Sequence, residues 1–387
     1  MKKLTSLIFG ILISFFSTYA QEPEFTVLLE ENMHDAIDML QTSSGDYVIA
    51  GTIQAHVLVF VAKVSKYGDL LWSNYFVGDM QWFARITQKS NGHILIPMNN
   101  SIPHLLELSE SGDSLGCTVI HEPKRSYFGQ VIEMADSSLV ATELIYNEDI
   151  WFPAIDSSYL IKMDKLGNII NKTAIQYHEI KQISPNGNNN ILSLITPYSS
   201  VNTRIIGYDI NGQEISNSYC TSMNPNLFSI NKLSNDQYMS CGYIDGKSMH
   251  GAISKFNNYG EIEFCKEYPS FAYFMSATSD LSSGLIYLLG QKDDSCTITA
   301  MDFSGNVISE YIVDDSLIGT DIIFENDNLY LCGYYEYSYS SHRSCFIKIN
   351  KNSVLSIDEG YSFPEIKTYP NPARDYVIFE LPTYTIN

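Results

Sequence analysis

The chain has 387 residues, 44 acidic side chains against 23 basic ones, a formal net charge of −21 and 13% aromatic residues. This balance argues against nucleic acid and anionic lipid as partners, because phosphate binding needs clustered Lys and Arg. The length alone would hold two or three average domains.

The first twenty residues, MKKLTSLIFGILISFFSTYA, read as a secretory signal peptide. Lys2 and Lys3 form its charged region, Leu7 to Phe16 its apolar run, and Thr18-Tyr19-Ala20 its cleavage site. The run is too short for a stable membrane span, and no later segment reaches spanning length, so no span is expected after cleavage. No cysteine stands beside the cleavage site to carry a lipid anchor. Next comes FTVLLEEN, an apolar strand with no repeat of its own.

From there the chain repeats one unit seven times: strand, tight turn, strand, loop, strand, Gly turn, strand. The clearest copy is AIDMLQTSSGDYVIAG followed by VFVAKVSKYGDLLWSNYF. The second turn of each unit places Gly68, Gly112, Gly167, Gly212, Gly260, Gly305 and then Asn352 at spacings of 44, 55, 45, 48, 45 and 47. Gly and Asn tolerate a positive φ, so the last exchange preserves the turn chemistry. The first turn drifts in the same register through Gly45, Gly92, Ser138, Gly187, Asp236, Gly284 and Asp327. Strands such as YVIAG, ILIPM and LIYLLG are short and apolar, whereas SYLIKMD and CFIKIN alternate. Four strands per unit of roughly 45 residues is the size of a propeller blade. The fold class expected is all-β: a seven-bladed β-propeller of four-stranded blades over residues 21–358. Its seventh unit has only VLSI for a fourth strand. Phe25 to Glu30 is therefore expected to supply the outer strand of blade seven, which joins the chain ends and removes an open edge.

Both tight turns of every unit fall on one face. The other connections fall on the opposite face and are more aromatic: GDMQWF, HEPKRSYF, YNEDIWFPAIDSS, IQYHEI, YPSFAYF and GYYEYSYSSHR. Loops on a rigid scaffold are where binding concentrates, and Trp and Tyr suit wet, amphipathic ligands. The candidate ligand-binding residues are Trp82, Tyr127, Trp151, Phe152, Tyr177, Tyr273, Tyr335 and Tyr337. Trp151 leads because the insert from Leu144 to Ser157 makes the third unit the longest. Seven of the eight histidines fall on the same face, but none stand in HxH or HExxH spacing, so no metal is expected. No cofactor is expected. Asp164, Asp209 and Asp302 recur at one turn position and read as turn residues, because no complete D-x-D-x-D-G loop exists. Glu148 and Asp149 read as solvated loop charges. No nucleophile elbow, Ser-His-Asp order or paired-carboxylate motif stands out, so no catalytic residue is assigned and the chain is not expected to be an enzyme.

The seven cysteines form no CxxC pair. Most fall in strands, where a reduced thiol behaves as a small hydrophobe. Cys332 and Cys345 flank one loop and are the pair to test for a disulfide.

After a linker (residues 359–368), the run YPNPARDYVIFEL, from Tyr369 to Leu381, closely resembles the opening of the type A sorting domain of type IX secretion cargo. That resemblance implies export across the outer membrane by the type IX machinery, and a secreted or outer-surface location. Residues 369–387 match only the start of that β-sandwich; its later strands and terminal signal, which export by this route is expected to need, are not in the sequence. The propeller units resemble the loosely defined repeat propellers of such cargo. One unit, through GDLLW ending at Trp72, is also similar to quinone-enzyme blades. The sialidase Asp-box is absent, since Gly68 and Trp72 stand one residue too far apart. The expected function is a binding or adhesion module that recognises glycan or a surface protein through its aromatic face. The alternatives are a polysaccharide hydrolase or lyase at the channel mouth, and a structural passenger with no dedicated ligand.

Overall fold

The computed structural model describes residues 24–29, 34–53, 58–80, 84–100, 102–119, 126–147, 154–176, 178–186, 189–197, 202–234, 236–245, 249–338, 341–355 and 366–367. They form seven sheets, six of four antiparallel strands and one of five strands. Blade 1 runs from its inner to its outer strand as His34–Gln41, Tyr47–Ile53, Leu58–Val64 and Leu70–Val77. Blades 2 to 6 repeat this order. The chain is a seven-bladed β-propeller.

Blade 7 closes the ring. Its first three strands are Leu317–Glu325, Asn328–Ser338 and Ser341–Asn350. Its fourth is the N-terminal Phe25–Leu28, antiparallel to the third with Phe25 opposite Lys348 and Leu28 opposite Cys345. The sequence expectation for this closure holds. Val354 and Leu355 of the expected VLSI strand are helical instead: Lys351–Leu355 is a short helix whose Val354 is fully buried, and the rest of VLSI lies outside the described residues. The expected turn at Asn352 is therefore helical. Lys351 of this helix bridges Asp280 of blade 6 at 2.9 Å and Asp327 of blade 7. Ile366–Lys367, inside the expected linker, adds a fifth strand parallel to Thr26 and Val27.

The core lies between blades rather than within any one of them. Seven apolar clusters fill the seven blade junctions. The cluster between blades 7 and 1 packs Phe25, Val27, Tyr47, Ile49, Phe60, Tyr330 and Phe346. Second and third strands such as Tyr47–Ile53 and Leu58–Val64 are buried on both faces, hence their continuous apolar runs. Outer strands alternate, as Leu70–Val77 does.

The glycine turns are two-sided constraints. Gly112 has φ of 88°, and a Cβ there would come within 2.8 Å of the Trp72 ring in the preceding blade. Both the backbone conformation and the neighbouring blade exclude a side chain. Trp72 completes the contact by donating its indole N–H to the Glu110 carbonyl at 3.2 Å. Asp164, Asp209 and Asp302 each accept the backbone N–H groups two and four residues on. They are turn residues.

The cysteine pairing differs from the expectation. Cys220 and Cys265 form a disulfide with Cα atoms 6.0 Å apart, 45 residues apart in sequence. It ties the outer edges of blades 4 and 5. Cys332 and Cys345 are free and buried. Cys332 pairs across from Phe346 and Cys345 from Gly333, so their thiols enter different clusters on opposite faces of the sheet.

Candidate functional site

Two polar constellations stand out in the interior, and the sequence reading singled out neither. The first is a ring around the propeller axis. Six inner strands carry a bulge at one place, between Ala36 and Asp38, Phe128 and Val131, Ile180 and Gln182, Leu227 and Ser229, Phe274 and Ser276, and Gly319 and Asp321. A bulge re-aims the residue that follows it. Aligned on the second strands, that position holds Asp38, Arg85, Gln130, Gln182, Ser229, Ser276 and Asp321.

These side chains and their neighbours stitch each blade to the next. Asp38 accepts the Ile86 amide at 2.7 Å, Gln130 that of Ile183 at 2.9 Å, and Gln182 that of Ile230 at 2.5 Å. Thr87 donates to the Val131 carbonyl, Ser279 to that of Leu233, and Ser276 to the Asp321 carboxylate at 2.6 Å. Asp321 accepts the Met39 amide and so returns the ring to blade 1. Every junction thus has a hydrogen bond near the axis. Two carboxylates share one guanidinium here, with Arg85 Nε 3.4 Å from Asp38 Oδ1. Burial raises the Asp38 carboxyl to about 7 against the pull of Arg85, and Asp321 adds to the rise. Burial also raises Asp321, again against Arg85. The carboxylates are held by backbone amides, which is a structural use of the groups.

The second constellation stands at the loop-face end of the seam between blades 7 and 1. Asp35, near the start of the inner strand of blade 1, meets His342 of blade 7, with Oδ1 2.5 Å from Nδ1. His342 stacks on Tyr334, ring centroids 5.2 Å apart and planes 21° apart. Glu336 Oε1 lies 3.9 Å from His342 Nε2. Burial pushes the Tyr334 phenol far up, and the Asp35, Tyr273 and Glu336 side chains add to it, so it stays neutral. Strand parity explains the grouping: Tyr334, Glu336, His342 and Ser344 follow Cys332 and Phe346 onto the face that meets blade 1.

The eight candidate aromatics fare unevenly. Trp82, Trp151, Phe152 and Tyr177 lie outside the described residues, as does the side chain of Tyr337. Tyr335 is a correction: it sits within a strand, 4% exposed, packed against the apolar cluster between blades 6 and 7. Tyr127 and Tyr273 are strand residues and half-buried. Burial pushes the Tyr273 phenol up to about 12. The insert from Leu144 to Ser157 is also shorter as a loop than expected, because Leu139–Asn147 and Ala154–Met163 extend into it as paired strands. In blade 6 the loop-face connection is a two-residue hairpin turn, Asp293 and Asp294, with φ of 48° and 64°. Among the described residues, no group of three or more His, Cys, Asp or Glu side chains is placed to hold a metal ion.

No protein-family model matches the chain, and no curated protein matches it. Solved structures do share the fold. The Dos1 propeller is similar with a TM-score of 0.57 at 12% identity, over 90% of this chain and 97% of that one. The WD40 repeats of RRP9 are similar with a TM-score of 0.57 at 10% identity, over 85% of this chain and 99% of that one.

Proposed function

We propose that the chain is a binding or scaffold propeller that works outside the cytoplasm, as a secreted or surface-associated adhesion module recognising glycan or protein through its loop face. The observation that carries this reading is the asymmetry of the two faces. On one, the connections are tight turns built on positive-φ residues, such as Gly45, Gly68, Gly92 and Gly112. The connections of the opposite face vary in length, from the two-residue turn at Asp293 and Asp294 to the span between Val77 and Thr87, and the sequence reading assigns that face Trp82, Trp151, Phe152 and Tyr177. The ring and seam carboxylates are engaged by amides and by His342, which favours recognition over catalysis. The Cys220–Cys265 bridge supports an oxidising compartment. That agrees with the signal peptide, and with the resemblance of residues 369–381 to type IX cargo.

A glycan and surface-protein binding screen with the mature chain tests the reading, run beside the double variant Trp82→Ala, Trp151→Ala. Binding that disappears in a folded double variant supports recognition by the aromatic loops. A folded protein that binds nothing in the screen overturns it in favour of an architectural passenger.

A further inference from the structure

The outer strand of blade 2, Ser114–Val119, reads SLGCTV and carries no charge in a chain of −21. It ends its sheet, and no described residue pairs with its outer edge. Five of its six residues are exposed, with Leu115 at 50% and Val119 at 42%. Leu115 is the extra residue of a bulge, with none opposite it in the third strand. Gly116 has neither a positive φ nor an atom within 4 Å of where a Cβ would stand. Nothing in the described fold demands that glycine, and a glycine inside a strand often marks the close approach of another backbone.

Alignment on the turn glycines shows how the other edges differ. Five residues past that glycine stand Ser73, Cys117, Lys172, Asn217, Cys265 and Glu310. Consider each outer strand paired antiparallel with its own copy about that position. Blade 3 would set Lys172 against Lys172 and blade 6 Glu310 against Glu310, and like charges directly opposite destabilise a sheet. Blade 5 would set Glu263 against Glu267, and its Cys265 is already bonded to Cys220. The edge of blade 7 is covered by Ile366–Lys367. Blades 1 and 4 avoid the clash but offer only Ser73 and Asn217. Blade 2 sets Leu115 against Val119 and Cys117 against Cys117. Of the five free thiols, Cys117 is the exposed one.

We propose that Ser114–Val119 is an edge-to-edge interface with a second copy of this chain, paired antiparallel about Cys117. Residues directly opposite in such a pair have Cα atoms about 4.5 or 5.5 Å apart, and a disulfide spans about 4.4–6.8 Å. An edge of six residues falls well short of the ~1,200 Å² of a stable interface, and two chains at −21 repel. The contact therefore needs a covalent lock. A low-molecular-weight disulfide supplies it. One Cys117 thiolate attacks that disulfide and releases a first small thiol. The Cys117 thiolate of the second copy then displaces the other, and the two released thiols carry the two protons that the cysteines lost. Partial burial raises the Cys117 thiol, which slows exchange by chance collision and leaves pairing to bring the sulfurs together. The edge lies on the circumference and does not use the aromatic loops. Only the oxidising compartment is shared with the adhesion reading, and the test supplies its own oxidant.

The test is sedimentation of the mature chain at physiological salt, with oxidised glutathione and then with reductant. The parent is expected to shift from one chain to two and to return. Amides of residues 114–119 should exchange with solvent more slowly in the dimer, and Cys117→Ser should stay a single chain. The double variant Leu115→Glu, Val119→Glu should cross-link about tenfold more slowly at an unchanged melting temperature, because acid would meet acid. Mixing it with Leu115→Lys, Val119→Lys should restore the rate. The double variant Trp82→Ala, Trp151→Ala should dimerise as the parent does, which keeps this interface apart from the loop face. A parent that stays a single chain in oxidised glutathione, unchanged amide exchange at 114–119 in the dimer, or an acidic variant that cross-links at the parent rate overturns the proposal.

Discussion

Asp38 carries a carboxyl group in among seven converging inner strands, where 4% of its side chain meets solvent. Its Oδ2 takes the Ile86 amide and its Oδ1 faces Arg85, yet loss of water outweighs both and lifts the carboxyl to about 7. The consequence for stability runs opposite to that of most acids. A carboxyl raised in the folded state contributes fully below its unfolded range near 4, and the contribution is lost as pH rises through about 7. Asp38→Asn keeps an acceptor for Ile86 and removes the charge. Urea midpoints should therefore show the parent losing stability relative to this variant between pH 4.5 and 8, by an amount on the order of a few kcal/mol. Parallel pH profiles would show that Arg85 already neutralises the group. Gln182 does the same work without charge, and Gln182→Ala leaves the buried Ile230 amide unmatched. Chemical denaturation should register a loss of about 1–3 kcal/mol.

At the level of strands and turns, the bond between Cys220 and Cys265 joins outer edges one repeat apart, where the apolar cluster is the smallest of the seven among the described residues. Closing a 45-residue loop stabilises by up to about 4 kcal/mol in the chain-entropy account. The double variant Cys220→Ser, Cys265→Ser should fall by a similar amount, and mild reductant should lower the parent's melting temperature to match. The short helix after blade 7 offers a second test. Burial opposes ionisation of Asp280, but hydrogen bonds from Lys351, Ser282 and Ser283 hold it below the usual carboxylate range. Lys351→Met removes the cation from this buried carboxylate and should cost about 2 kcal/mol at pH 7, read by thermal denaturation. The glycine turns were legible in the sequence because only a few residue types accept a positive φ, and the strands because their apolar runs were bounded by those turns. The disulfide was not, because its partner is chosen by the neighbouring blade and not by proximity along the chain. Tyr335 failed for a related reason: in GYYEY the alternation of a strand, not the presence of a loop, decides that Tyr334 meets the seam while Tyr335 enters the core. The ring residues do recur, at spacings of 47, 45, 52, 47, 47 and 45. Their chemistry differs from blade to blade, so no motif marks them; a polar residue at a fixed offset in each inner strand was the available signal.

For the molecule as a whole, closure of the ring is the decisive act, and it depends on a segment at the far end of the chain from the blade it completes. Seven wedges joined by apolar junctions complete the outer part of their last junction when Phe25–Leu28 pairs with the third strand of blade 7 and adds Phe25 and Val27 to the cluster there. Without it, the edge of that strand lies open to pairing with other chains. Phe25, Val27, Leu28 and Leu29 are each less than 9% exposed. Burying side chains of this size stabilises by roughly 1.5–3 kcal/mol apiece, a total comparable with the net stability of a folded domain at about 5–15 kcal/mol. A chain that begins at residue 30 should therefore aggregate or unfold in more than one step, with the seam of blades 7 and 1 opening first. A synthetic peptide of residues 24–30 added in trans should restore a single cooperative transition, with a midpoint that rises with peptide concentration. Calorimetry of the truncated chain with and without the peptide reads this directly. If the truncated chain melts in one step at the parent temperature, the seven junctions are independently stable and the N-terminal strand is a cover rather than a clasp.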